Sequence, residues 1–298
     1  MVYAVELEER FVIRVEKGDV DFHLTAAVYN FKWYYDGERL VLVEDRDAAL
    51  VVEEEGTWLR VTGYGEVEKG EAAELVAKRL GLGEDYSDFF RRAAGDPILR
   101  EAPRIFAKWR LRSATPWYAF LVAVLQQNAS FLQGWRGLCC IIKRFGTPMR
   151  LGQMYTIAPP TPREVLDLGD KLRSCPIGYR AATIAAVAET FAKGGDPFKA
   201  RGVGPYTRSL VELLAHRRYD AAPVDRWVKR LVQEAVGQDA EQYLREKFGQ
   251  WAGLAVYLYT VALDAAPLRK ALERLKKGQV TPMEEVSPMG MWKTEMCH

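Results

Sequence analysis

The chain has 298 residues, 49% of them hydrophobic and 28% charged, and 42 Lys and Arg against 40 Asp and Glu give a formal net charge of +2. That is enough apolar material for two modest domains or one large one, and it excludes disorder. The total hides a split: residues 1–100 hold 13 basic and 22 acidic residues, residues 101–298 hold 29 and 18, and within 101–150 the count is 8 to 1, which suggests an acidic part joined to a part that meets a polyanion.

Residues 1–63 read as strands. Segments 20–35 and 40–43 flank Asp36-Gly37, two residues that tolerate positive φ, and this predicts a hairpin. Further β runs are expected at 49–53 and 58–62, and a first helix at 71–80 ending at Gly81. From about residue 85 the period is helical. The expected helices are 86–94, 97–106, 116–128, 130–145, 162–172, 180–193, 206–216, 225–235, 240–248, 251–263 and 267–277. Residues 146–160 read as the longest irregular stretch, and those after about 280 as a loose tail. The fold class is therefore α+β: a small N-terminal antiparallel β-sheet domain (1–84), a multi-helix domain (85–280) and a C-terminal tail (281–298).

Several absences narrow the function. No run of about 18 apolar residues occurs, so no membrane span is expected, and the acidic, alternating start does not read as a signal peptide. Four cysteines (Cys139, Cys140, Cys175, Cys297) with no C-x-x-C are too few and too irregular for a disulfide framework. They favour a reducing, intracellular compartment and argue against a cysteine-ligated zinc or iron–sulfur site. Three histidines (His23, His216, His298) do not suggest a metal centre.

The most informative stretch runs from Phe198 to Val211 and contains Gly202-Val203-Gly204-Pro205-Tyr206-Thr207-Arg208. A helix ends near Arg201, turns through two glycines, and restarts at Pro205, where a missing N–H costs nothing. On pattern alone this is a helix–helix turn. The restarting helix also offers free N–H groups and the positive end of its dipole to an anion, with Lys199, Arg201 and Arg208 beside it. Twenty-one residues beyond Gly204, Asp225 opens another helix in Pro223-Val224-Asp225-Arg226-Trp227. It reads as an N-cap, and a cap also holds a carboxylate oriented to stabilise a nearby cationic transition state.

This pair of motifs resembles the helix-hairpin-helix DNA glycosylase superfamily, with its hairpin and following catalytic aspartate. Leu172 to Ala181, with Gly178-Tyr179-Arg180-Ala181, is similar to a helix start of that family; Gln126-Gln127-Asn128 resembles its gap-probing segment; Glu241 to Leu258 resembles the closing helix of the 8-oxoguanine branch. The N-terminal β-rich region matches that branch and the alkyl-purine branch. The resemblance implies double-stranded DNA with a damaged base as the partner, extrusion of the base and cleavage of its N-glycosidic bond. It gives Asp225 the catalytic role and assigns phosphate binding to Gly202, Val203, Gly204, Tyr206, Thr207 and Arg208. Gln127 and Asn128 fill the vacated space, and a monovalent cation at the hairpin carbonyls is allowed.

Tyr206 departs from the family pattern. Members that also cut the strand carry a lysine there, whose amine forms a Schiff base; tyrosine cannot, which implies water as the nucleophile. Val256 and Thr260 stand where the 8-oxoguanine branch has a glutamine and an aromatic, and Leu210 where it has a cysteine. Aromatics near the closing helix (Trp251, Tyr257, Tyr259) and Trp227 suit stacking on an alkylated purine. The expected base pocket is Trp227, Tyr206, Val256 and Tyr259. The sequence thus reads as a monomeric, monofunctional glycosylase for damaged purines, alkylated ones slightly favoured, without iron–sulfur cluster or metal. An 8-oxoguanine glycosylase with a displaced lysine, or a non-catalytic lesion-binding module, are the alternatives.

Overall fold

The computed structural model describes residues 4–294; residues 1–3 and the end of the expected tail, 295–298 with Cys297 and His298, lie outside the described residues. In chain order the first elements are β1 (Val5–Leu7), β2 (Glu9–Glu16), α1 (Phe22–Ala27), β3 (Arg39–Asp45), β4 (Ala48–Glu55), β5 (Trp58–Gly65) and α2 (Lys69–Leu80). Next come α3 (Ser87–Ala93), α4 (Ala102–Ile105), α5 (Pro116–Gln126), α6 (Phe131–Phe145), β6 (Thr147–Leu151), β7 (Met154–Ala158) and α7 (Pro162–Leu168). The helical half is completed by α8 (Arg180–Ala192), α9 (Pro205–His216), α10 (Arg226–Val236), α11 (Ala240–Phe248), α12 (Ala252–Ala262) and α13 (Leu268–Lys276).

Residues 9–16 and 39–65 build a four-stranded antiparallel sheet in the order β2-β5-β4-β3, with β3 and β4 buried on both faces. Leu40, Leu42, Leu50, Val52, Leu59 and Val61 point to one face and are covered by Phe22, Ala26, Val76 and Leu80 of α1 and α2. The opposite face presents Val41, Ala49 and Val51 to Met149, Leu151 and Ala158. Those last residues belong to a second sheet, β1-β6-β7, in which β6 pairs antiparallel with β7 and parallel with β1.

Three expectations are corrected here. Segment 20–35 is not a strand: Asp21 Oδ1 accepts the Leu24 N–H at 2.9 Å and caps α1, whose Phe22, Thr25, Ala26 and Ala27 are buried. Asp36-Gly37 does turn the chain, with Gly37 at φ +105°, but only the bridge Tyr35–Leu40 remains of the expected hairpin. The supposedly irregular stretch 146–160 is the β6–β7 hairpin, turned at Gly152 (φ +60°). Pro148 stands opposite Ile157 of β7, and the pairing of β6 with β1 begins only at Met149.

The expected loose tail is also corrected. Asp264 Oδ2 accepts the N–H groups of Met283 (2.9 Å) and Glu284 (3.2 Å), and Arg274 donates to the Thr281 carbonyl at 2.6 Å. Further on, Ser287 and Met291 are buried, and Trp292 meets the Tyr35 ring edge-on at 4.9 Å. The tail is a strap from α13 back to the N-terminal sheet.

The cysteine reading is corrected as well: Cys140 of α6 and Cys175 are joined by a disulfide. They are 35 residues apart in sequence, so only the fold brings them together. Among the described residues no helix is long and apolar enough to cross a membrane.

The helical core is organised by α5 and α12. Residues 119–125 of α5 and nearly all of α12 are buried, so both helices are enclosed on every side. Thr115 accepts the Tyr118 N–H and Pro116 fills the first helical position, which sets where α5 begins.

Candidate active site

Two short turns position the site. The first joins α8 to α9 through a single 3-10 turn at Pro197–Lys199, and not through a helix running to Arg201 as expected. Gly202 has φ +90°, and a Cβ there would lie 2.3 Å from Thr183 Oγ1, so both backbone angle and space demand glycine. Gly204 differs. Its φ is −97°, and a Cβ would meet nothing nearer than Gln127 Nε2 at 4.0 Å. Its missing side chain leaves open surface.

No side chain caps α9, and the N–H groups of its first turn face that surface. Arg208 lies over the Phe198 ring at 4.8 Å and donates to the Phe198 carbonyl at 3.2 Å, tying the helix to the turn before it. Val203 packs on the core and Thr207 is buried with its hydroxyl unpaired.

Gln127 and Asn128 reach the same surface from the end of α5. Arg180 holds them there, donating to the Gln127 carbonyl (2.9 and 2.7 Å) and to that of Asn128 (2.8 Å). Asn128 adopts φ +49°, a conformation asparagine tolerates. Beside it Tyr179 is 57% exposed, with its hydroxyl 3.5 Å from the Asn128 amide. A large aromatic left in solvent next to the hairpin belongs among the candidate contact residues; the sequence offered it only as part of a motif.

The second turn delivers Asp225. The loop before α10 is pinned by Gly253 of α12, whose N–H donates to the Tyr219 carbonyl at 2.7 Å. A Cβ on Gly253 would lie 2.3 Å from the Ala221 carbonyl oxygen. Asp225 then caps α10, Oδ1 accepting the Val228 N–H at 2.8 Å. Burial by the surrounding walls raises its pKa, against the backbone N–H groups that favour the carboxylate.

Asp225 lines a cavity of about 430 Å³. Of the expected pocket residues, Tyr206, Trp227 and Val256 line it too, and so do Thr260 and Leu210. Trp227 is fixed by its indole N–H, which donates to the Ala266 carbonyl at 2.9 Å. Tyr259 is the exception. It is fully buried on the other side of α12, where its hydroxyl donates to Asp96 Oδ2 at 2.9 Å. Trp251 also points elsewhere, donating to Asp88 at 2.9 Å.

The aromatic centre of the cavity is Tyr29. It stacks on Trp135 (5.5 Å between centroids) and meets Tyr257 and Phe131 edge-on at 5.2 and 6.0 Å. Its hydroxyl donates to Thr260 Oγ1 at 2.5 Å, since Thr260 donates in turn to the Tyr257 carbonyl. Sequence reasoning missed it because 20–35 read as a strand. Tyr206 is near enough to Asp225 and Tyr29 for their charges to act on it; burial first, then Asp225, keeps its hydroxyl protonated. Among the described residues no cluster of three or more His, Cys, Asp or Glu could hold a metal.

An acidic β-rich part and a helical part, with an uncapped hairpin beside an aspartate-lined cavity, make up a fold that this chain shares with solved DNA glycosylases. Solved structures bear this out. The chain is similar to MBOgg1 in complex with a low-affinity DNA ligand (TM-score 0.63, 20% identity, 91% of this chain and 98% of that one). It is similar to Clostridium acetobutylicum 8-oxoguanine glycosylase/lyase in complex with double-stranded DNA containing cytosine opposite 8-oxoguanine (0.63, 18%, 93% and 99%). The 3-methyladenine DNA glycosylase from Archaeoglobus fulgidus is similar too (0.66, 22%, 83% and 96%). No family model and no curated protein matches the sequence.

Proposed function

We propose that the protein is a base-excision DNA glycosylase that turns a damaged purine out of a duplex into the cavity and hydrolyses its N-glycosidic bond. One observation carries this: the carboxylate of Asp225 lines an aromatic cavity beside an uncapped hairpin helix and the Gln127–Asn128 turn. The hairpin N–H groups suit a phosphate and read no sequence; Gln127, Asn128 and the exposed Tyr179 suit the gap that extrusion leaves. Tyr29, Trp135 and Tyr257 supply π faces for the base. Asp225, ionised, stabilises the cationic sugar and orients water.

Tyr206 offers no amine, so hydrolysis without strand cleavage is the main reading. An 8-oxoguanine glycosylase with a displaced lysine has one residue in its favour: Lys270 lines the same cavity, its ammonium held by Glu284 at 2.8 Å. Both carboxyl-bound pairing and charge oppose its use as a nucleophile. A monovalent cation fits the hairpin only through backbone carbonyls, which are hard oxygen donors. Trp251 and Tyr259 no longer argue for an alkylated base, since neither reaches the cavity. Monomeric action and an intracellular site belong to the same proposal.

The test is incubation with duplexes carrying 3-methyladenine, hypoxanthine or 8-oxoguanine, followed by alkali and, separately, borohydride. Abasic product without a trapped adduct is expected. An adduct revives the lysine mechanism; binding without base release makes the protein a lesion-binding module.

A further inference from the structure

Arg112 stands just before α5, lining both the candidate cavity and a second one of about 300 Å³ behind it. One guanidinium nitrogen donates to the carbonyls of Val28 (3.3 Å) and Tyr29 (3.1 Å), while Nε is buried with no partner. The ionisable groups that face it are Tyr257, Tyr118, Arg79 and Tyr34, and burial pushes its pKa down. None is a carboxylate, and Arg79 is already held by Glu44 at 2.9 Å. Other charges around the cavity are matched: Lys270 with Glu284 at 2.8 Å, Asp264 with Arg274 at 2.5 Å. Two are left without an ion-pair partner among the described residues, Asp225 and Arg112.

An enclosed cation without an anion is costly to a fold, and here it borders the cavity that would take the base. Hydrolysis of a neutral purine nucleoside separates charge in just this sense. The C1′–N9 bonding pair leaves with the base, which becomes an anion, and the sugar becomes cationic. Asp225 answers one charge and Arg112 the other.

We propose that Arg112 is a catalytic residue of the glycosylase reaction above, on which this inference rests: its guanidinium donates to an exocyclic oxygen of a neutral oxopurine and stabilises the anion in which that base leaves. The water oxygen bonds to C1′, its proton passes to the Asp225 carboxylate, and the departing base takes a proton from solvent; Asp225 then returns its own proton to solvent. A cationic alkylated purine leaves as a neutral molecule. It develops no negative charge for Arg112 to stabilise and meets a like charge. The substrate class is therefore neutral purines with a ring carbonyl, not cationic alkylated ones.

The experiment is single-turnover base release from duplexes carrying 8-oxoguanine, hypoxanthine or 7-methylguanine, with the wild-type protein, Arg112→Met and Arg112→Lys. Wild type is expected to release the neutral bases. Arg112→Met is expected to slow their release about a hundredfold or more, at least about tenfold more than it slows 7-methylguanine. The loss should grow as the leaving base becomes more basic, and lysine should restore part of it. Thermal melting of both variants checks that the fold is kept. Equal losses on neutral and cationic bases in either folded variant, or a wild type that releases only 7-methylguanine, would overturn this inference alone. No release of any of the three bases overturns the glycosylase proposal with it.

Discussion

Asp225 shows how a site residue works against its fold. Its raised pKa means that ionisation costs the folded state stability at pH above the folded pKa; the cost fades as pH falls through that value towards the ordinary aspartate range. Asparagine keeps an oxygen to cap α10 and has no charge to bury. Asp225→Asn should therefore lower base release by about a hundredfold or more while melting no lower than wild type at neutral pH. The difference in melting temperature should shrink near about pH 4; a variant that melts lower at neutral pH would contradict the burial argument. The hairpin glycines make a matched pair at the same scale. Gly202→Ala faces positive φ and Thr183 and should cost about 1–3 kcal/mol in denaturant melts. Gly204→Ala has room and an ordinary φ, so it should melt like wild type yet weaken duplex binding, with a salt dependence that titrations can compare.

The loop before α10 places the carboxylate only because it approaches α12 closely at Gly253. Gly253→Ala drives a methyl group into the Ala221 carbonyl. It should cost about 1–3 kcal/mol and slow base release out of proportion, because the displaced loop carries Asp225. Rates and melts on the same sample separate the two effects. What the sequence disclosed follows the same division. The hairpin, Asp225 and the Gln127–Asn128 turn are local, written in consecutive residues and their glycines, and all were legible. The cavity is not local: Tyr29, Arg112, Trp135 and Tyr257 come from separate segments spread between residues 29 and 257, and no spacing rule joins them. Tyr259 was assigned to the wrong side of α12, where Tyr257 lines the cavity instead, since every face of that helix is buried and its apolar pattern has no preferred side. Strand β6 pairs on one edge with β1 from the far end of the chain, which no local pattern discloses; on its other edge it forms a local hairpin with β7.

Across the whole molecule, ties run between parts that composition sets apart. Arg217 donates twice to Glu84 at 2.7 Å, and Tyr219 donates to the same carboxylate at 2.5 Å. Arg217→Met strands a half-buried carboxylate and should cost about 3 kcal/mol, read as a lower melting temperature with a single transition. The Cys140–Cys175 bridge closes a loop of 35 residues and restricts the unfolded chain by about 4 kcal/mol. It also links α6 to the segment that leads into Tyr179 and Arg180. Acidic and basic halves were separable on paper; the structure gives them a shared hydrogen-bond network and a shared strap.

That strap carries a mechanical meaning. Pro288 accepts the N–H of Tyr29 at 2.8 Å, while Trp292 rests against Gly37 and Tyr35. Tension applied to the strap at Thr294 would lift the Trp292 ring first and the Tyr29 backbone next, before any strand of the four-stranded sheet had to shear. The cavity would lose its central aromatic while most of the molecule still stood, so this strap acts as a ripcord for the site.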